Sequence, residues 1–122
     1  MARKKILLVD DAETILMIER MILNKDYDLV TARNGQEAVA VAMSERPDLI
    51  LLDVVMPMMD GFSACQQIRD NEEMRAIPII MVTTRGEERS VETGFQSGCN
   101  DYVAKPINSL ELISKVRNYL GE

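Results

Sequence analysis

The chain has 122 residues, enough for one domain with a real core and too few for two. Its apolar fraction of 47% and charged fraction of 28% argue against disorder and against membrane spanning. A formal net charge of -6 argues against non-specific nucleic-acid binding, which needs a basic face to displace counterions from phosphates.

The absence of histidine excludes His-based acid–base catalysis, His metal ligation and a phosphohistidine carried by the chain itself. Cys65 and Cys99 stand alone without metal-ligand spacing, as reduced thiols of a cytoplasmic protein do. The basic start at Met1 to Lys5 is followed by only a short apolar run before Asp10, too short for a signal-peptide core. A cytoplasmic location without membrane contact is therefore expected.

Read in chain order, strands and helices alternate. Lys5–Val9 is a strand, and Thr14–Asn24 a helix with Ile15, Ile18 and Ile22 on its apolar face. Asp28–Ala32 is a second strand. Asn34 and Glu37 form a capping box for a helix that runs to Glu45, where Arg46-Pro47 stops it. Leu49–Asp53 is a third strand, Met56–Gly61 a loop, and Phe62–Arg69 a helix with Phe62, Cys65 and Ile68 inward. Pro78 leads into the strand Ile79–Thr83. Glu87–Ser97 is the weakest helix, with few apolar residues, an internal Gly94 and Gly98 to end it. Asp101–Ala104 is the last strand. Asn108 and Glu111 form a second capping box, for a final helix that buries Leu112, Ile113, Val116 and Leu120.

Short, wholly apolar strands alternating with helices imply a doubly wound parallel sheet, α/β in class, with ligands at the carboxyl ends of the strands. Asp10-Asp11, Asp53, Thr83 and Lys105 each follow such a run, so one pocket is expected to gather them. Carboxylates that close stay ionised only with positive charge between them. The second strand ends in Ala32-Arg33 without an acid, so position alone does not account for the acids on the first and third strands. Taken singly, each residue has an ordinary reading: Asp10 or Asp11 as a helix N-cap, Asp53 as a solvated loop residue, Thr83 as a β-former, Lys105 as a surface charge. Taken jointly, those readings require several independent coincidences at one edge of one sheet.

The same residues carry a resemblance. Asp10-Asp11, the loop from Asp53 to Gly61, Thr83 and Lys105-Pro106 resemble, in order and across essentially the whole chain, the receiver domain of bacterial two-component response regulators. The resemblance implies a flavodoxin-like sheet of five parallel strands in the order 2-1-3-4-5 with five helices, an order the fold class is known for. It implies that Asp53 accepts a phosphoryl group from the phosphohistidine of a sensor histidine kinase or phosphotransfer protein. It implies Mg²⁺, with Mn²⁺ as a substitute, held by Asp10, Asp11, Asp53 and the backbone carbonyl of Val55. Lys105 and Thr83 would then contact phosphoryl oxygens, and the Lys105–Pro106 bond would be cis. Thr83 and Tyr102 would move together as a switch acting on the surface of the Glu87–Ser97 helix, the last strand and the final helix.

Two positions that vary among such domains tune loss of the phosphoryl group, here Val55 and Arg85. Val55 offers no hydrogen bond to an attacking water and Arg85 is long enough to cover the group, so slow self-dephosphorylation is expected. Thr84 stands where a smaller residue is usual, which narrows access for small donors.

Residues 1–122 are expected to form a single receiver domain without an output domain, acting on a downstream protein target or a fused output domain. Three other readings compete. A phosphate-independent, receiver-like adaptor would not need the acceptor set that this chain carries. A Mg²⁺ phosphatase with an aspartate nucleophile would want a second aspartate two residues after the first, where Ala12 or Glu13 stands. A flavin-binding flavodoxin would want Ser, Thr and Gly where Asp10-Asp11-Ala12-Glu13 would repel a phosphate.

Overall fold

In a computed structural model, residues 3–56, 59–84 and 88–122 are described, with side chains placed except at 84 and 88–91. Five strands alternate with five helices: β1 Lys5–Val9, α1 Glu13–Leu23, β2 Asp28–Ala32, α2 Gly35–Glu45, β3 Leu49–Asp53, α3 Gly61–Asp70, β4 Ile79–Thr84, α4 Glu88–Ser97, β5 Asp101–Lys105 and α5 Ser109–Tyr119. All strand pairs are parallel and the sheet order is β2-β1-β3-β4-β5, as the resemblance implies. A 3₁₀ turn over Glu72–Met74, which the sequence reading did not include, joins α3 to β4 and buries Met74.

The three inner strands β1, β3 and β4 are buried on both faces because helices cover both, which is why they read as near-continuous aliphatic runs, whereas the edge strands β2 and β5 are partly exposed. Leu7, Val9, Ile50, Leu52, Ile79 and Met81 pack on the side of α2 and α3, against Ala38, Ala42, Ala64, Cys65 and Ile68. The alternate residues Ile6, Leu8, Leu49, Leu51, Ile80, Val82 and Val103 pack on the side of α1 and α5, against Leu16, Leu23, Leu112 and Val116.

Local chemistry sets the helix starts. Asn34 Oδ1 accepts from Glu37 N at 2.8 Å, Asp60 Oδ1 from Ser63 N at 2.8 Å, and Asn108 Oδ1 from Glu111 N at 3.0 Å. At the end of α2, Arg46 takes a left-handed conformation (φ 46°) ahead of Pro47.

α1 differs from the sequence expectation. It starts at Glu13 after Ala12, which caps nothing with its side chain, so neither aspartate is its N-cap. The residues it buries are Leu16, Glu19 and Leu23, while Ile18 is 41% exposed and Ile15 and Ile22 are half-buried. The helix is apolar nearly all round, so hydrophobicity alone did not choose its inner face. Gly94 also differs: it is buried, and an added Cβ would press on Cys99 Sγ at 3.2 Å and Met81 Cγ at 3.4 Å. It marks close packing of α4 on the sheet, not simply a weak helix.

Candidate functional site

Asp10 extends β1 by one residue, donating its N–H to Ala32 O at 3.2 Å. Asp53 is the last residue of β3, paired with Val82, and Thr83 and Lys105 lie at the same ends of β4 and β5. The parallel register therefore delivers all four to one edge. Asp10, Asp53 and Lys105 continue the strand rows that face α1 and α5, with Asp10 following Leu8, Asp53 following Leu51 and Lys105 following Val103. Thr83 continues the other row, after Ile79 and Met81, opposite Ala104.

Carboxylate oxygens of Asp10, Asp11 and Asp53 lie within 4.8 Å of one another. Asp10 and Asp53 are buried (1% and 4% exposed), whereas Asp11 is open to solvent. Lys105 Nζ stands 3.1 Å from Asp53 Oδ1 and 3.3 Å from Asp10 Oδ2, supplying the positive charge that the acids require. The Lys105–Pro106 peptide bond is cis, in agreement with the resemblance. Asp10 Oδ1 accepts from Ala12 N at 2.9 Å, which orients that carboxylate from the turn into α1.

Burial, and then the charge of Asp10, push Asp53 up to about 6, with Lys105 opposing both. Burial also pulls on Lys105, but its hydrogen bond to Asp53 and the charges of both acids outweigh that and leave it above its ordinary value. At neutral pH the pair is thus an ionised carboxylate beside a firmly protonated ammonium.

The donor set fits a hard divalent cation. It is all oxygen, it is carboxylate-rich, and Asp10 Oδ2 is buried without a hydrogen-bond partner. The lysine lies at ion-pair distance from that oxygen without completing a hydrogen bond to it. Cys65 and Cys99 are buried in the core on the α2–α3 side, and burial raises them to about 11 and about 12, so they are inert thiols.

Two glycines hold the loop after β3. A Cβ on Gly61 would run into Asp53 O and Val54 Cα, and one on Gly35 would run into Met59 O and Cβ. The Asp53–Val54 backbone is thereby seated against the start of α3, and Met59 against the start of α2. Of the remaining expected residues, Val55 lies in that loop and is 69% exposed, and Tyr102 lies on β5, 37% exposed. Arg85 lies outside the described residues.

Glu19 escaped the sequence reading. It is 1% exposed on the inner face of α1, its Oε1 has no partner, and burial followed by the charge of Asp10 raises it to about 8. The available signal was an acid between Leu16 and Leu23 at spacings of three and four, inside an apolar stripe.

Among the described residues no helix is long and apolar enough to cross a membrane. The chain matches the response regulator receiver domain family over residues 6–117. It is 44% identical over 117 residues to the transcriptional regulatory protein ResD of Bacillus subtilis (strain 168), covering 95% of this chain and 48% of that protein. It is 41% identical over 118 residues to the alkaline phosphatase synthesis transcriptional regulatory protein PhoP of the same organism, covering 96% and 48%. The chain thus spans about half the length of these relatives. Among solved structures, the receiver domain of the Pseudomonas aeruginosa sensor histidine kinase PA1611, which has a magnesium ion coordinated in its active-site cleft, superposes with a TM-score of 0.92 at 34% identity, covering 99% of this chain and 100% of that one. Agreement from the first strand to the last helix, in sequence and in strand order alike, places the chain in the response regulator receiver domain family of two-component signalling.

Proposed function

We propose that this receiver domain takes a phosphoryl group onto Asp53 from the phosphohistidine of a sensor histidine kinase or phosphotransfer protein. The observation that carries the reading is the approach of Lys105 Nζ to within 3.1 Å of Asp53 Oδ1, beside three carboxylates that meet within 4.8 Å. An isolated acid triad would repel a phosphate. A triad with a lysine and a divalent cation attracts one.

An Asp53 carboxylate oxygen attacks phosphorus, the P–N bond to the donor imidazole breaks, and the ring nitrogen keeps the electron pair and takes up a proton. Lys105 follows the charge from Asp53 Oδ1 to a phosphoryl oxygen, and the Thr83 hydroxyl donates to another. Asp10, Asp11, Asp53 and the Val55 carbonyl would hold Mg²⁺, or Mn²⁺ in its place. The cation supplies neutralisation of the phosphoryl charge.

Thr83 pairs with Ala104 and Met81 with Tyr102, so Thr83, Ala104 and Tyr102 share one face of the sheet, with Ala104 between the other two in register. A shift of Thr83 toward the phosphoryl group would free space into which the ring moves, altering the surface of α4, β5 and α5. The product is a signal read by a downstream protein target or a fused output domain, in the cytoplasm, without direct contact with nucleic acid or membrane. Val55 and Arg85 would set the lifetime of the phosphoryl group.

Titration with beryllofluoride, a phosphoryl analogue, in the presence of Mg²⁺ tests the reading. Saturable binding that shifts the Tyr102 resonances and disappears in Asp53→Ala is expected. Binding that survives loss of Asp53, or no binding at all, overturns the reading and favours a phosphate-independent adaptor.

A further inference from the structure

Tyr102 is a large aromatic residue, 37% exposed, on β5, an edge strand, yet its ring is held on two sides. Lys115 Nζ lies 4.9 Å from the ring centroid, and the Phe95 ring of α4 meets it edge-on, with centroids 6.3 Å apart and planes at 86°. Both arrangements are attractive for a ring with a negative face and a positive edge. Lys115 is itself fixed, because its Nζ donates to Tyr102 O at 2.5 Å and to Asp101 Oδ1 at 3.1 Å. Its helix, α5, packs Leu112 and Val116 on the opposite face of the sheet from the Met81–Tyr102 row. The lysine therefore wraps around the free edge of β5 to reach both the backbone carbonyl and the ring.

Along the sheet face of Tyr102 the next side chain toward the site is the methyl of Ala104, and beside that stands Thr83, 3% exposed.

We infer that Lys115 is a positioning residue that holds Tyr102 outward in the resting domain, so that its grip sets how much of the population has the ring turned toward Thr83. The inference rests on the reading of Tyr102 as the moving part of the phosphoryl switch. When a ligand binds one state of such a pair, its apparent affinity scales with the fraction already in that state. Weakening the outward state therefore tightens the analogue without any change at the acidic site.

The test is the apparent dissociation constant of beryllofluoride with Mg²⁺, measured by NMR on the intact chain. Lys115→Met keeps most of the aliphatic stem and removes the cation, and is expected to tighten the analogue about two- to fivefold. Lys115→Gln should shift it in the same direction, and Lys115→Arg should restore the original value. In a Tyr102→Leu background, where there is no ring to hold, Lys115→Met should have no effect. An unchanged constant in both neutral variants, or an equal shift with and without the ring, overturns the inference while leaving the phosphoryl reading intact. A wild-type chain that fails to bind the analogue, or binds it without perturbing Tyr102, sinks the reading itself.

Discussion

The Lys105 ammonium caps Asp53 Oδ1 at 3.1 Å, yet Asp53 is still held at about 6 because burial and Asp10 act against that contact. A carboxyl raised above its ordinary value makes folding less favourable as pH climbs from about 4 through 6, since the unfolded chain releases its proton first. Asp53→Asn removes this cost. In the presence of EDTA at pH 7 the variant is expected to be more stable than wild type by about 1–3 kcal/mol, with the gain shrinking toward pH 4. Urea unfolding at the two pH values checks it, and a lower midpoint for the variant at pH 7 contradicts the electrostatic account.

Mg²⁺ should stabilise the native state by mass action, at roughly 1.4 kcal/mol when present at ten times its dissociation constant. The same titration on Asp10→Ala should give little or none of that gain, because the buried oxygen at ion-pair distance from Lys105 is gone. Thermal melts across a magnesium series measure both.

Glu19 makes stability fall with pH in a separate window. Its folded value of about 8 lies above the ordinary 4.5, so the protonated acid is the form the core accepts. Stability from this group is fully present below about 4.5 and is lost as pH rises to about 8, by up to roughly 5 kcal/mol. Glu19→Gln and Glu19→Leu should flatten that slope and gain most over wild type at alkaline pH. Guanidinium unfolding at pH 5, 7 and 8.5 reads it directly, and parallel pH profiles for wild type and Glu19→Gln would refute it.

Gly61→Ala should cost about 2 kcal/mol or more, because the new Cβ meets the Asp53 carbonyl and the Val54 backbone, neither of which is a flexible side-chain tip. It should also weaken magnesium binding, since the strand end that must yield carries Asp53. Calorimetric titration alongside a melt separates the two effects; an unchanged magnesium affinity would show that the loop absorbs the methyl elsewhere.

Val55 is an apolar residue, 69% exposed, just after β3. If Asp53 carries the phosphoryl group, Val55→Asn supplies a hydrogen-bonding group for an incoming water and should hasten hydrolysis several-fold. The decay of phosphorylated chain after removal of the donor provides the measurement, and equal decay rates would dismiss the water argument.

Much of this was legible in the chain because it is local. Aliphatic runs with period-free hydrophobicity mark strands covered on both faces, Asn34 and Asn108 mark helix starts, and parallel topology carries every strand end to one edge. From those alone, Asp10, Asp53, Thr83 and Lys105 had to end at the same edge of the sheet. What composition left open was orientation around a helix axis and contact between distant elements. α1 is apolar at most positions from 15 to 23, so only docking against the sheet and α5 turned Ile18 outward and Glu19 inward. The packing of Gly94 on Cys99 and the reach of Lys115 over Tyr102 are likewise set by how helices seat on the sheet. A side chain's partners across the fold depend on packing free energy shared among many residues, and no single stretch of sequence encodes them.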